Sequence, residues 1–173
     1  MSLRVGAVVQ ARMSSERLPG KVLTPLAGRP MLGWLLERLE HARTLDVVVV
    51  RVNGDSPLLD QRLIDRGVEL LKQTGAELVS NVRPRTFPPG QSVEVVRTEA
   101  LERAHARDSS DEDREHVTGP LYSGDFTVVR FEADPPRTTP AFTVDTPDDL
   151  ARIEKILSDM DRPAFDYTWE DLL

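Results

Sequence analysis

Cysteine is absent from all 173 residues. That removes a disulfide framework and any thiolate metal site, and it fits a reducing compartment. Long apolar runs are missing too: nothing approaches the roughly 20 residues that a membrane-spanning helix needs. The N-terminus MSLRVGAVV has no extended apolar h-region of the kind a signal peptide carries. An excess of positive charge is also lacking. Lys and Arg number 22 against 29 Asp and Glu, for a net charge of −7 and a pI near 5.0. A chain of that sign offers no basic face to nucleic-acid phosphates. These absences give the expectation of a soluble, cytoplasmic protein with neither nucleic acid nor membrane as partner. The length suits one domain, residues 1–173, with a core of its own.

What is present alternates between strand and helix signals. VGAVV (Val5 to Val9) and VVVVRV (Val47 to Val52) are nearly continuous β-branched runs without polar alternation, the pattern of strands buried on both faces of a parallel sheet. Between them Met31, Leu32, Leu35, Leu39 and Ala42 recur at helical spacing, with charges opposite, so 30–43 reads as an amphipathic helix. This is a βαβ unit. A second helix is expected from an N-cap at Asp60 to just before Gly75. ELVSN, SVEVV, FTVVRF and AFTV read as further strands. Thr98 reads as the cap of a helix to about His105, and a further helix follows the acidic turn at 109–113 and reaches about Tyr122. TPDDLARIEKIL has Thr146 at the N-cap and Pro147 at the first helical position. RPRTFPPGQ and DPPRTTP are proline-rich loops. The order implies a three-layer α/β/α sandwich, Rossmann-like, with a mostly parallel sheet.

In such sheets ligands bind beyond the carboxyl ends of the strands. The loop QARMSSERLPGK, which leaves the first strand, carries Arg12, Arg17 and Lys21 and stands where a phosphate would be held. It is neither a GxxxxGK[ST] loop nor GxGxxG, and three loop cations are also what an ordinary solvated surface shows. Asp55 ends the second strand and Asp145 ends the last one. Two carboxylates on two strand ends can meet one Mg²⁺; each alone equally suits a turn or a helix cap.

QARMSSERLPGK, GDSPLLD, SNVRPRTFPPGQSVEV, REHVT and VDTPDDL, in this order, resemble the cytidylyltransferase family of the spore-coat polysaccharide biosynthesis proteins and of the acylneuraminate and 3-deoxy-manno-octulosonate cytidylyltransferases. The resemblance spans almost the whole chain. It implies the nucleotide-diphospho-sugar transferase fold, a homodimer, and Mg²⁺-dependent transfer of CMP from CTP to a sugar acceptor, acidic or otherwise modified, with release of pyrophosphate. By the same resemblance Arg12, Arg17 and Lys21 act on the CTP phosphates. Gln10, Ala11, Ser14, Ser15, Gly20 and Asn53 surround the nucleotide, and Asp55 and Asp145 ligate Mg²⁺. Arg85, Thr86 and Glu94 meet the acceptor. His116, in REHVT, is a weaker candidate that reads equally well as a structural helix residue, and His41 and His105 read as surface residues.

Two departures stand out. The family's acceptor loop often reads YPDGLDVEV, whereas FPPGQSVEV puts Pro89 and Ser92 where acids are usual, so the acceptor is expected to differ or its site to be degraded. Family members also carry further βα units before GDxPL, with elements that help recognise cytosine. Here TLDVVVVRVNGDSPL reads as two strands fused, closed up across an absent segment near residues 46–51 and leaving an exposed sheet edge. A capped helix beginning at Thr168, with Asp171 at capping-box spacing, is cut off at Leu173 in the same way. The alternatives are a non-catalytic nucleotide- or sugar-nucleotide-binding homologue of the same fold, a nucleotidyltransferase that uses another NTP, and a glycosyltransferase of related fold.

Overall fold

The computed structural model describes residues 5–11, 13, 15–43, 49–106 and 117–173. Arg12, Ser14 and His116, residues 46–48 of the expected seam, and residues 114–116 at the start of the helix expected before Tyr122 lie outside them.

The strands are β1 (Ala7–Gln10), β2 (Pro25–Leu26), β3 (Arg29–Pro30), β4 (Val49–Asn53), β5 (Leu78–Ser80), β6 (Glu94–Val96) and β7 (Val128–Arg130). The helices are α1 (Met31–Glu40), α2 (Gln61–Thr74), α3 (Thr98–His105) and α4 (Pro147–Ser158). Five strands form the central sheet in the order β1-β4-β6-β5-β7. β1 pairs with β4 and β5 with β7 in parallel, while β6 is antiparallel to both of its neighbours. Four strands therefore share one direction, which is the mixed α/β, mostly parallel sheet that the sequence implied. Among the described residues β1 is an edge of the sheet, and Val8 there is 52% exposed. Among the described residues no helix is long and apolar enough to cross a membrane.

Strand pleating sends successive side chains to opposite faces, and here it builds the three layers. Val79 and Val95 join Leu35, Leu39, Ile64, Val68 and Leu71 of α1 and α2 on one face. Leu78 and Val96, one residue away, join Ala100 and Ala104 of α3 on the other. A third cluster gathers Val22, Leu26, Met31, Phe142, Val144, Ile153 and Leu157 under α4, at the end of the sheet where the loops lie.

The caps follow local chemistry. Asp60 accepts from the Arg62 amide at the start of α2, and Gly75 closes that helix in the left-handed region. Thr146 and Asp149 form a reciprocal capping box on α4, with Pro147 first in the helix. At the C-terminus Thr168 and Asp171 exchange the same pair of bonds, leading only a 3₁₀ turn at Glu170–Leu172. The fully buried Arg38 of α1 donates to the carbonyls of Leu59, Ala164 and Tyr167 and so ties the C-terminal segment to the core.

Three expectations are corrected, and one element is new. AFTV, expected as a strand, makes no ladder: its amides are satisfied singly, Phe142 by Pro89 O at 2.6 Å and Val144 by Asp55 O at 3.0 Å. Arg97, not Thr98, is the N-cap of α3, and no side chain caps that helix. The described part of the segment before Tyr122 is a 3₁₀ turn, Gly119–Tyr122, with Pro120 near its start. The β2–β3 hairpin was not expected, since Pro25 and Pro30 lack the amide donors by which strands are recognised.

Candidate active site

The register Gln10↔Asn53 brings the carboxyl ends of β1 and β4 side by side. The chain beyond β4 then presses on the chain beyond β1: Gly54 N donates to Gln10 O at 2.9 Å. A Cβ on Gly54 would lie 2.8 Å from the Ala11 Cβ, so only glycine fits. That contact carries Asp55 to the mouth of the first loop. Hydrogen bonding of Val144 N to Asp55 O brings Asp145 beside it from the far end of the chain.

Lys21 meets both. It opens a 3₁₀ turn, Lys21–Leu23, behind Gly20, which is left-handed at φ 70. Its ammonium donates to Asp145 Oδ1 at 2.9 Å, to Asp55 Oδ2 at 3.0 Å and to the Val144 carbonyl at 2.8 Å. Arg17, mostly exposed, adds a second cation to Asp145 at 3.1 Å. Burial alone would lower the Lys21 pKa; hydrogen bonds to Asp145 and Asp55 outweigh it and hold the pKa above the ordinary lysine value.

These residues line one side of a cavity of about 670 Å³. Its floor is a polar network centred on Glu94. Glu94 Oε2 accepts from Arg51 at 2.8 Å and from Thr118 Oγ1 at 2.8 Å, and Oε1 accepts from the Tyr122 hydroxyl at 2.6 Å. Burial, followed by the charge of Glu94 and the hydrogen bond to it, pushes the Tyr122 hydroxyl well above its usual pKa and keeps it a donor. Two further donors of Arg51 hold Gln10 Oε1, at 2.7 and 3.1 Å. Because guanidinium only donates, this fixes the Gln10 amide with its oxygen inward; among the described residues its nitrogen has no partner. Arg83, stacked over the Tyr122 ring at 4.7 Å, and Arg85, which donates to Ser92 Oγ at 3.3 Å, also line the cavity.

Of the residues singled out in the sequence, Gln10, Ser15, Arg17, Lys21, Asn53, Asp55, Arg85, Glu94 and Asp145 border this cavity. Ala11 and Gly20 shape the loop behind it. Thr86 is displaced from it: the residue is buried, its hydroxyl accepts from Ala133 N at 3.0 Å, and its carbonyl accepts from Arg137 N at 2.7 Å, so it anchors the loop from within. Arg83, which also borders the cavity, opens the proline-rich loop that the resemblance pointed to for the acceptor. Arg51, Thr118 and Tyr122 were not singled out, although Arg51 is a cation inside an otherwise apolar strand run and Thr118 closes the motif REHVT.

A magnesium ion is compatible with this donor set. Asp55 and Asp145 are hard oxygen ligands held close enough to share one cationic partner. Among the described residues no three His, Cys, Asp or Glu side chains could jointly hold a metal. The protein would therefore supply two ligands and leave the others to nucleotide or water, the usual arrangement for this ion at phosphate sites.

The sequence model of the cytidylyltransferase family matches residues 7–50 and 41–168. An uncharacterized protein of Methanocaldococcus jannaschii is 28% identical, over 78% of this chain and 73% of its own length. The 3-deoxy-manno-octulosonate cytidylyltransferase of Synechococcus elongatus is 41% identical over 45% of this chain, a stretch that spans only 31% of that enzyme. In three dimensions the chain superimposes on a cytidylyltransferase from Leptospira borgpetersenii with a TM-score of 0.89 at 23% identity, covering 99% of this chain and 92% of the other. It also superimposes on a CMP:2-keto-3-deoxy-manno-octonic acid synthetase solved with CTP, with a TM-score of 0.67 at 13% identity, covering 91% and 99%. With the family model spanning nearly its whole length, the chain belongs to the cytidylyltransferase family of nucleotidyltransferase enzymes.

Proposed function

We propose that the protein transfers CMP from CTP to a hydroxyl of an acidic or modified sugar, in the biosynthesis of a surface glycan, with release of pyrophosphate. The observation that carries this reading is the convergence of Asp55, Asp145, Lys21 and Arg17 at the carboxyl ends of the sheet. In the transfer, the sugar oxygen forms a bond to the α-phosphorus, the bond from that phosphorus to the β-phosphate oxygen breaks with both electrons going to the departing pyrophosphate, and the hydroxyl proton passes to water. Arg17 and Lys21 are the cations placed to follow negative charge onto the pyrophosphate. Asp55 and Asp145 would hold Mg²⁺, which when bound polarises the α-phosphate. Arg83 and Arg85 support an acidic acceptor: among the described residues neither is neutralised by a carboxylate, and both border the cavity.

Pyrophosphate release measured with CTP, UTP, ATP or GTP, Mg²⁺ and a panel of acidic sugars tests the proposal. Release that needs CTP and one class of acidic sugar supports it. Equal thermal stabilisation by all four nucleotides would remove cytosine selectivity, and stabilisation by none would favour the non-catalytic homologue.

A further inference from the structure

Lys21 is 7% exposed, and its ammonium has three N–H donors, each already matched to an acceptor: Asp145, Asp55 and the Val144 carbonyl. None is left over for a phosphate oxygen. The three acceptors are hard oxygens, two of them charged, the kind of set a divalent cation also takes. An ammonium and a divalent ion in the same few ångströms repel, and in a partly buried site water screens that repulsion only weakly. Arg17 does not fill this role. Of the two carboxylates it pairs with Asp145, from a side chain that is 67% exposed.

We propose that Lys21 is a positioning residue for the metal ligands: in the nucleotide-free protein its ammonium holds Asp55 and Asp145 together in place of the divalent cation, and it leaves them when metal and nucleotide phosphates bind together. The inference rests on the reading of those two carboxylates as the cation's ligands. Metal alone then binds weakly, because it must expel an ammonium that among the described residues has no carboxylate partner besides Asp55 and Asp145. Metal with CTP binds well, because the phosphates receive Lys21. The device couples metal uptake to nucleotide uptake, and the coupling must be reciprocal.

The test is Mn²⁺ binding without nucleotide, followed by electron paramagnetic resonance, on the wild type, Lys21→Met and Lys21→Arg. Lys21→Met should bind Mn²⁺ about tenfold or more tightly than the wild type, Lys21→Arg should stay close to the wild type, and adding Asp55→Asn to Lys21→Met should erase the gain. Should Lys21→Met fail to fold, the ¹⁵Nζ resonance of Lys21 in the wild type gives the same information: it should move when Mg²⁺ and CTP are added together and hold still with Mg²⁺ alone. Equal Mn²⁺ affinity in the wild type and Lys21→Met, or a Lys21 signal that ignores saturating Mg²⁺ and CTP, overturns the proposal. Mn²⁺ with CTP binding equally well to wild type and Asp55→Asn would instead remove the metal-ligand reading itself.

Discussion

Arg51 and Glu94 stand directly opposite each other in the β4–β6 register, and their side chains close a 2.8 Å ion pair at the floor of the cavity. Glu94 also holds Thr118 and Tyr122, so one carboxylate joins two strands to the Gly119–Tyr122 turn. Truncating it leaves a largely buried guanidinium with Gln10 and Thr118 as its remaining acceptors. Glu94→Ala should therefore cost about 3 kcal/mol, read as a lower urea midpoint at unchanged m-value. Glu94→Gln, which keeps one acceptor oxygen for Arg51 and turns its NH2 toward the Tyr122 hydroxyl, a group that can accept while pairing with Ser80 Oγ, should lose clearly less. Equal losses would show that the charge of Glu94, and not the hydrogen bonding an amide retains, carries the interaction.

Gly90 provides a second check, in the proline-rich loop that carries Arg83 and Arg85 to the cavity. Its φ is 98, and a Cβ there would lie 2.7 Å from the carbonyl carbon of Phe142, a backbone atom that cannot rotate away. Gly90→Ala should destabilise the protein by about 3 kcal/mol and weaken acceptor use more than CTP binding. A neutral substitution would mean that the 141–144 segment yields easily.

Asp149 sets a pH dependence. Burial would raise its pKa, but the hydrogen bonds from Arg152, Thr146 and two backbone amides win and bring it down to about 2, from an ordinary 3.8. A pKa depressed in the folded state stabilises the fold above the unfolded value and is lost as pH falls through the folded one, here between about pH 4 and pH 2. Asp149→Asn should cost about 1 kcal/mol near neutrality, and the gap to wild type should narrow across that acid range. A gap independent of pH would show that the capping box does not depend on the charge.

Asp55→Asn and Asp145→Asn should each abolish pyrophosphate release while lowering free-protein stability by less than about 1 kcal/mol. In either variant Lys21 keeps one carboxylate and the Val144 carbonyl, and both acids are about a third exposed or less. Normal turnover in either variant would take that residue out of the site.

The sequence by itself determined the elements whose causes are local. The Asp60 and Gly75 caps, the Thr146–Pro147–Asp149 helix start and the paired apolar runs of β1 and β4 depend on neighbours within a few residues, so spacing reveals them. It also placed Asp55 and Asp145 at the ends of extended runs, one now a strand and the other an unpaired segment. Tertiary structure decided the rest. The antiparallel setting of β6 is not written in SVEVV, because a short alternating run carries no direction. It comes from the Asn81 side chain, which bonds Gln91 O and Val93 N and folds the chain back on itself. Lys21 reaches residues 34 and 124 positions away, and Glu94 reaches residues 24 to 43 positions away. Local propensity cannot register such contacts; they appear only once buried polar groups must find partners in the packed sheet.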